Sequence, residues 1–169
     1  MSGKLGFPGF TLIEVILVLS IVIILTLISI PVFTTIIKNY RIGAVADSLI
    51  YSIQYARTEA IKRNANVYIT FVTGDSWCYG INTASACNCT ITNNCNLGTT
   101  KAETAGQISL STAGLTSNSI YFEGTHGAAN LTGNITFTLY NDTPLIKVTI
   151  KRFGNTQVCS TGISGYTAC

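Results

Sequence analysis

Residues 9–37 read GFTLIEVILVLSIVIILTLISIPVFTTII, and from Val15 to Ile37 there is no charged side chain. An apolar helix needs roughly 20 residues to cross the hydrocarbon core of a bilayer, and this run exceeds that. A discarded secretory signal has a shorter apolar stretch, about 7–15 residues, followed by a small-x-small cleavage site. No such site follows here, and an amphipathic pattern continues directly beyond the run. The stretch reads as a membrane anchor. Glu14 stands at its start, flanked by Phe10-Thr11-Leu12-Ile13 and by Val15-Ile16-Leu17. A carboxylate in lipid is costly and calls for a cationic partner. Nothing in the span supplies one, and the simplest candidate is a free amino terminus created by a cut just before Phe10.

The anchor explains part of an unusual composition. Of 169 residues, 47% are hydrophobic and only 10% are charged, whereas ordinary soluble domains carry about 25% charge. The length suits one domain, or one domain plus an appendage. A net charge of +3 with no run of like charge excludes a charged disordered tail and is no nucleic-acid signature by itself. Lys4 precedes the span while Lys38 and Arg41 follow it, so the positive-inside rule gives a split answer on orientation. Six cysteines favour an oxidising compartment, which puts the C-terminal part outside the cytoplasm.

Beyond the anchor, Ile42, Val45, Ala46, Leu49, Ile53, Ala56 and Ala60 recur every three or four positions. That spacing predicts an amphipathic helix from Arg41 to Arg63 covering a sheet, continuous with the anchor. After Asn64 the period changes to two. Val67, Ile69 and Phe71, then Ile135, Phe137 and Leu139, then Ile146, Val148 and Ile150, alternate with more polar neighbours and read as half-buried strands. Asn141-Asp142-Thr143-Pro144 is turn chemistry, predicting a hairpin between the last two. Residues 74–106 read as an elaborated loop with a short strand around Trp77 to Ile81. The outward faces carry Thr, Ser, Asn and Tyr in place of Lys and Glu, a weakly repulsive surface that suits a subunit packed among others.

Three motifs carry a family resemblance. Gly9-Phe10-Thr11-Leu12-Ile13-Glu14-Val15, after a short leader bearing Lys4, resembles the type IV prepilin signature. The resemblance implies removal of leader residues 1–9 by the prepilin peptidase, with cleavage between Gly9 and Phe10 and N-methylation of Phe10. It also implies that Glu14, fifth in the mature chain, pairs with the N-terminal amine of a neighbouring subunit during assembly. Pro31 falls where such subunits often carry a helix-breaking proline. Second, Ala56-Arg57-Thr58-Glu59-Ala60-Ile61-Lys62-Arg63 is similar to the Ala-Arg-x-Glu-Ala-x-x-Arg hallmark of the minor pilin and pseudopilin group that includes GspH, FimT and FimU. Gly154-Asn155-Thr156-Gln157-Val158-Cys159 matches the spacing of that group's terminal Gly-Arg-x-Arg-x-Cys, with both arginines replaced, by Asn155 and Gln157. In the DNA-uptake members those arginines contribute to DNA contact.

The resemblance implies a type IV pilin fold of the α+β class: a long N-terminal helix, half transmembrane, packed on an antiparallel sheet. It divides the chain into leader 1–9, transmembrane and filament-core helix 10–37, and a periplasmic domain 38–169. The implied role is a structural, non-enzymatic subunit of a type IV pilus, first held as a single-pass protein of the bacterial inner membrane. The alternatives are the H-type minor pseudopilin of type II secretion and a DNA-binding pilin for natural transformation.

Cys78, Cys87, Cys89 and Cys95 cluster in the loop, and a Cys-x-Cys pair can ligate zinc or copper. For an exported chain disulfides are the better reading. The four allow three pairings, with Cys87 and Cys89 too close in sequence to favour each other. By the resemblance, Cys159 and Cys169 close a short terminal loop. His126 is the only histidine, and no nucleophile elbow accompanies it, so it reads as a loop residue. Lys147 and Lys151 share an outward strand face with Arg152 beside them, a weak phosphate-contact patch for DNA with no identifiable aromatic platform. No metal or cofactor is called for.

Overall fold

A computed structural model describes residues 9–102, 107–139 and 145–169, apart from the side chains of 28–32. It opens with helix α1, Leu12–Arg63, followed by eight strands: β1 Val67–Val72, β2 Cys78–Asn82, β3 Gly98–Lys101, β4 Ile108–Ala113, β5 Ser119–Phe122, β6 Gly133–Leu139, β7 Leu145–Ile150 and β8 Thr156–Thr161. The chain divides into two compact units, Met1–Ile37 and Lys38–Cys169.

In the first unit the described side chains of α1, from Leu12 through Leu27 and again from Phe33 to Ile36, are exposed and mostly apolar. Among the described residues no helix is long and apolar enough to cross a membrane. The described side chains stop at Leu27 and resume at Phe33, whereas the uncharged run of the sequence is continuous from Val15 to Ile37.

The second unit is built around one face of α1. Ile42, Ala46, Leu49, Ile53, Ala56 and Ala60 are fully buried and belong to a single core cluster with side chains from the sheets. Their spacing is that of one helical stripe, and Ala at positions 46, 56 and 60 lets the strands approach the helix backbone closely. The helix ends at Asn64, which takes a left-handed φ of 48°. There the Ala65 N–H donates to the Ala60 carbonyl at 3.2 Å, closing the last turn.

Where one antiparallel sheet was expected there are two, each four-stranded, with orders β3-β2-β1-β5 and β4-β6-β7-β8. Within both, every pairing is antiparallel. The alternating runs become β1, β6 and β7, with the predicted inward residues buried. Strands β6 and β7 pair in register Gly133↔Ile150 to Thr138↔Leu145 as a hairpin expects; the turn residues 141–144 lie outside the described residues. The two sheets are joined by reciprocal backbone bonds between Gly74 and Leu110, at 2.9 and 3.1 Å. Trp77 also ties them: its indole N–H donates to the Ile108 carbonyl at 2.9 Å while its ring meets Tyr79 in one sheet and Phe137 in the other.

Within residues 74–102 the short strand expected around Trp77 to Ile81 is present as β2, and β3 is an addition to it. The stretch between these strands folds over the outer face of the first sheet. Two disulfides, Cys78–Cys89 and Cys87–Cys95, form a second small core there with Val72 against it. The Cys87 N–H donates to Thr70 Oγ1, an outward residue of β1, at 3.2 Å. Gly80 is required at the centre, because a Cβ there would stand 2.2 Å from Cys95 Sγ and 3.1 Å from Cys87 Sγ. Cross-strand hydroxyl and amide pairs replace ion pairs on the outer face of the other sheet, as in Ser109 with Thr138 at 2.6 Å and Thr149 with Asn134 at 2.8 Å. Gly80→Ala should lower stability by about 1–3 kcal/mol through overpacking against the disulfides. Thermal melting of the detergent-solubilised chain checks this, and an unchanged midpoint would contradict the close cover of the sheet.

Candidate assembly and processing site

Gly9 and Phe10 precede the helix as an exposed segment, with Phe10 81% exposed. Thr11 caps the helix: its Oγ1 accepts from the Glu14 N–H at 3.3 Å and its carbonyl from the Val15 N–H at 3.3 Å. This is the Thr-x-x-Glu arrangement of a capping box. Glu14 lies in the first turn of α1, where the helix dipole favours a negative charge. Its side chain is exposed among Leu12, Ile13, Val15, Ile16 and Leu17, and it makes no ion pair among the described residues. The helix is continuous through Pro31, whose side chain is not among those described.

At the other end of α1 the hallmark motif meets the C-terminal one. Glu59 is buried, an outcome the periodicity gave no sign of, and its carboxylate accepts from Arg63 Nε at 2.6 Å and pairs with Lys62 Nζ at 3.4 Å. The Arg63 hydrogen bond, opposed by burial and helped by Lys62, holds the Glu59 carboxyl below its ordinary value. Arg57, from the same motif, lies against Gly127 and Gly154. A Cβ on Gly154 would stand 3.0 Å from Arg57 Nε and 2.3 Å from the Gly127 carbonyl oxygen, and Gly154 also has a φ of +74°. Arg57 Nε is buried with no hydrogen-bond partner among the described residues. Gly124 is held as closely, since a Cβ there would meet the backbone of Asn64 and Ala65. His126, between these glycines, is exposed.

The third disulfide, Cys159–Cys169, closes the C-terminal segment. Within that closed segment Tyr166 packs on the helix, its hydroxyl 3.4 Å from where a Cβ on Gly43 would stand. Burial, with the charge of Asp47 as a lesser cause, raises the Tyr166 phenol above its ordinary value. All six cysteines are thus in disulfides, leaving no thiolate for a metal. Lys147 is half-buried on β7, while Lys151 and Arg152 are exposed in the turn just after it. Strand rise separates Lys147 from Lys151 by about 13 Å, so the three cations are not one cluster. The turn presents Phe153 at 83% exposure, an aromatic group the sequence reading did not find.

The model of the family described as "Type II transport protein GspH" matches residues 45–154, well over half of the chain. The chain belongs to the GspH family. The match spans both the helix motif with Arg57 and Glu59 and its partner glycine, Gly154. Comparison with curated proteins found no match. Among solved structures the chain is similar to the type IV minor pilin FimU of Pseudomonas aeruginosa in two crystal forms. The P21 form gives a TM-score of 0.55 at 15% identity, covering 73% of this chain and 95% of FimU. The P65 form gives 0.52 at 14%, covering 72% and 98%. At these identities the likeness is one of fold, a long helix packed on antiparallel sheets as in a type IV pilin.

Because the Glu59 value is lowered by folding, its contribution is present above the ordinary carboxylate range and is lost as pH falls through the folded value. Glu59→Gln should therefore melt below the parent protein at pH 7, with the gap closing on acidification below about pH 4. Thermal melts across pH 2–7 measure this, and a gap independent of pH would contradict the assignment.

Proposed function

We propose that this member of the GspH family is a minor subunit of a type IV pilus, held in the bacterial inner membrane by residues 10–37 with residues 38–169 in the periplasm. The prepilin peptidase cuts between Gly9 and Phe10 and methylates the new terminus, and the subunit then enters the filament with other pilins. The observation that supports this most is Glu14, a first-turn carboxylate set among exposed apolar side chains with no counter-ion among the described residues. An unpaired charge in an apolar bundle costs several kcal/mol (about 3–5 when a buried pair loses one partner). The amine of a neighbour's Phe10 relieves that cost only in the assembled register. The part played is structural, and no catalytic step is assigned to the chain.

Gly9→Val should leave the nine-residue leader attached, read directly by intact mass. Glu14→Ala and Glu14→Lys should be exported and processed normally yet be lost from sheared filaments, and normal incorporation of either would contradict the charge pairing. The family description also fits the H-type minor pseudopilin of type II secretion. Deletion of the gene separates the two: loss of exoprotein secretion with pili intact favours the secretion machine.

A DNA-receptor role has one supporting observation, the exposed Phe153 beside Lys151 and Arg152. Two or three phosphate contacts would give weak binding with a shallow salt dependence, a slope of about −2 to −3 on duplex DNA. A gel shift of the full chain at low salt tests it. A shift abolished by Lys151→Glu with Arg152→Glu supports the role, and no shift removes it.

A further inference from the structure

Strand β3 is an edge of the first sheet, bonded to β2 on one side only. The register runs Gly98↔Ile81, Thr99↔Gly80, Thr100↔Tyr79 and Lys101↔Cys78, and just beyond it the Ala102 N–H donates to the Trp77 carbonyl at 2.9 Å. Hydrogen-bonded pairs alternate along an antiparallel ladder. Counting back from Ala102, Thr100 and Gly98 bond to β2, while the N–H and C=O of Thr99 and Lys101 point to the open edge. Among the described residues no hydrogen bond reaches the Thr99 N–H from that side.

A groove runs along this edge. One wall is α1, with Ser48, Tyr51 and Tyr55; the other is the edge strand, with Gly98, Thr99 and Thr100. Its volume is about 650 Å³. Its floor is ordered, because the buried Tyr79 hydroxyl is held by Ser48 at 3.0 Å and Ser52 at 3.3 Å. Tyr51 is 75% exposed and Tyr55 44%, on the helix face turned away from the core stripe. Among the described residues Asp47 is the only charged one of the lining.

We propose that this groove takes a fifth strand: an extended segment donated by a neighbouring subunit, paired antiparallel or parallel to β3 and covering Tyr51 and Tyr55. The proposal rests on the filament reading above. The occupant follows from the chemistry of the walls. Free main-chain groups spaced two residues apart on an edge are satisfied by another extended main chain, not by a helix or a small ligand. A wall of tyrosine rings and hydroxyls accepts the alternate side chains of such a strand, and the near-absence of charge favours a neutral segment over a charged one. An open edge beside exposed aromatics is a liability in a lone subunit and a joint in an assembly.

Thr99 allows a clean test, because proline on an edge strand is tolerated where its missing N–H faces outward. In cells assembling the filament, Thr99→Pro should accumulate at parental level but fall at least fivefold in sheared filaments, while Thr99→Ala stays within twofold. A photo-crosslinking residue at Tyr51 should join one short extended segment of a second filament subunit, located by mass spectrometry, and the same residue at Phe153 should not. Parental incorporation of Thr99→Pro overturns the proposal. Should Thr99→Pro fail to accumulate, the Tyr51 crosslink in the otherwise unaltered chain decides: no crosslink in assembled filaments, or one to a helical segment, overturns it. Absence of the unaltered chain from filaments fells the filament reading and this one together, an outcome distinct from filaments that contain both the chain and Thr99→Pro.

Discussion

The second unit of this protein depends on one stripe of α1. Ile42, Ala46, Leu49, Ile53, Ala56 and Ala60 are wholly removed from solvent, and side chains of both sheets converge on them. Each large aliphatic residue buried in this way contributes about 1.5–3 kcal/mol of transfer free energy, and the alanines set how near the strands come. The stripe also fixes where the chain's other motifs lie. Because the helix ends at Asn64 with its backbone against Gly124, the glycines at 127 and 154 are drawn onto Arg57, and the hallmark motif and the C-terminal motif become one contact.

How much of this was legible in the sequence varies with the physics of each element. The stripe, the three alternating strands and the change of period at Asn64 could be read because each buries one face against a single core. Strand β2 is legible only as a short strand around Trp77 to Ile81 inside a loop, and β3 not at all. Cys78 and Gly80 point into a second core made by the two loop disulfides, so both faces of β2 are buried and the alternation that marks a half-exposed strand is erased. Strand β3 carries Gly98, Thr99, Thr100 and Lys101, an exposed edge with little hydrophobic pattern to detect. The division into two sheets rests on Trp77 and on the Gly74 to Leu110 bonds, which are long-range choices that local spacing does not encode.

The site divides the same way. Gly9, Phe10 and Glu14 are proposed as site residues from a contiguous motif and from an electrostatic anomaly, a charge in an apolar run. Glu59, Gly80 and Tyr166 were missed as buried or contact-making residues because their roles depend on partners 4 to 123 positions away, as with Arg63, Cys95 and Gly43. A signal for Glu59 existed: Lys62 and Arg63 follow it at helical spacing, and such a pair can hold a carboxylate in a dry position. Phe153 was overlooked because it follows Arg152 in what reads as a turn, and exposure of an aromatic group is not a local property.

The unusual composition follows from two surfaces with different fates. The outer strand faces use hydroxyl and amide pairs in place of ions, and the front of α1 is apolar all round, with Glu14 as its lone charge in the first turn. On the proposed reading a helix of that kind is stable in lipid or among copies, and its one carboxylate is paired by a group from outside its own chain. Zero-length carbodiimide coupling of sheared filaments, followed by mass spectrometry, tests that pairing most directly. The account predicts an amide joining Glu14 of one subunit to the amino-terminal Phe10 of another. Filaments that contain the chain, with Glu14 instead capped by an added water-soluble amine and no such cross-link, would contradict it.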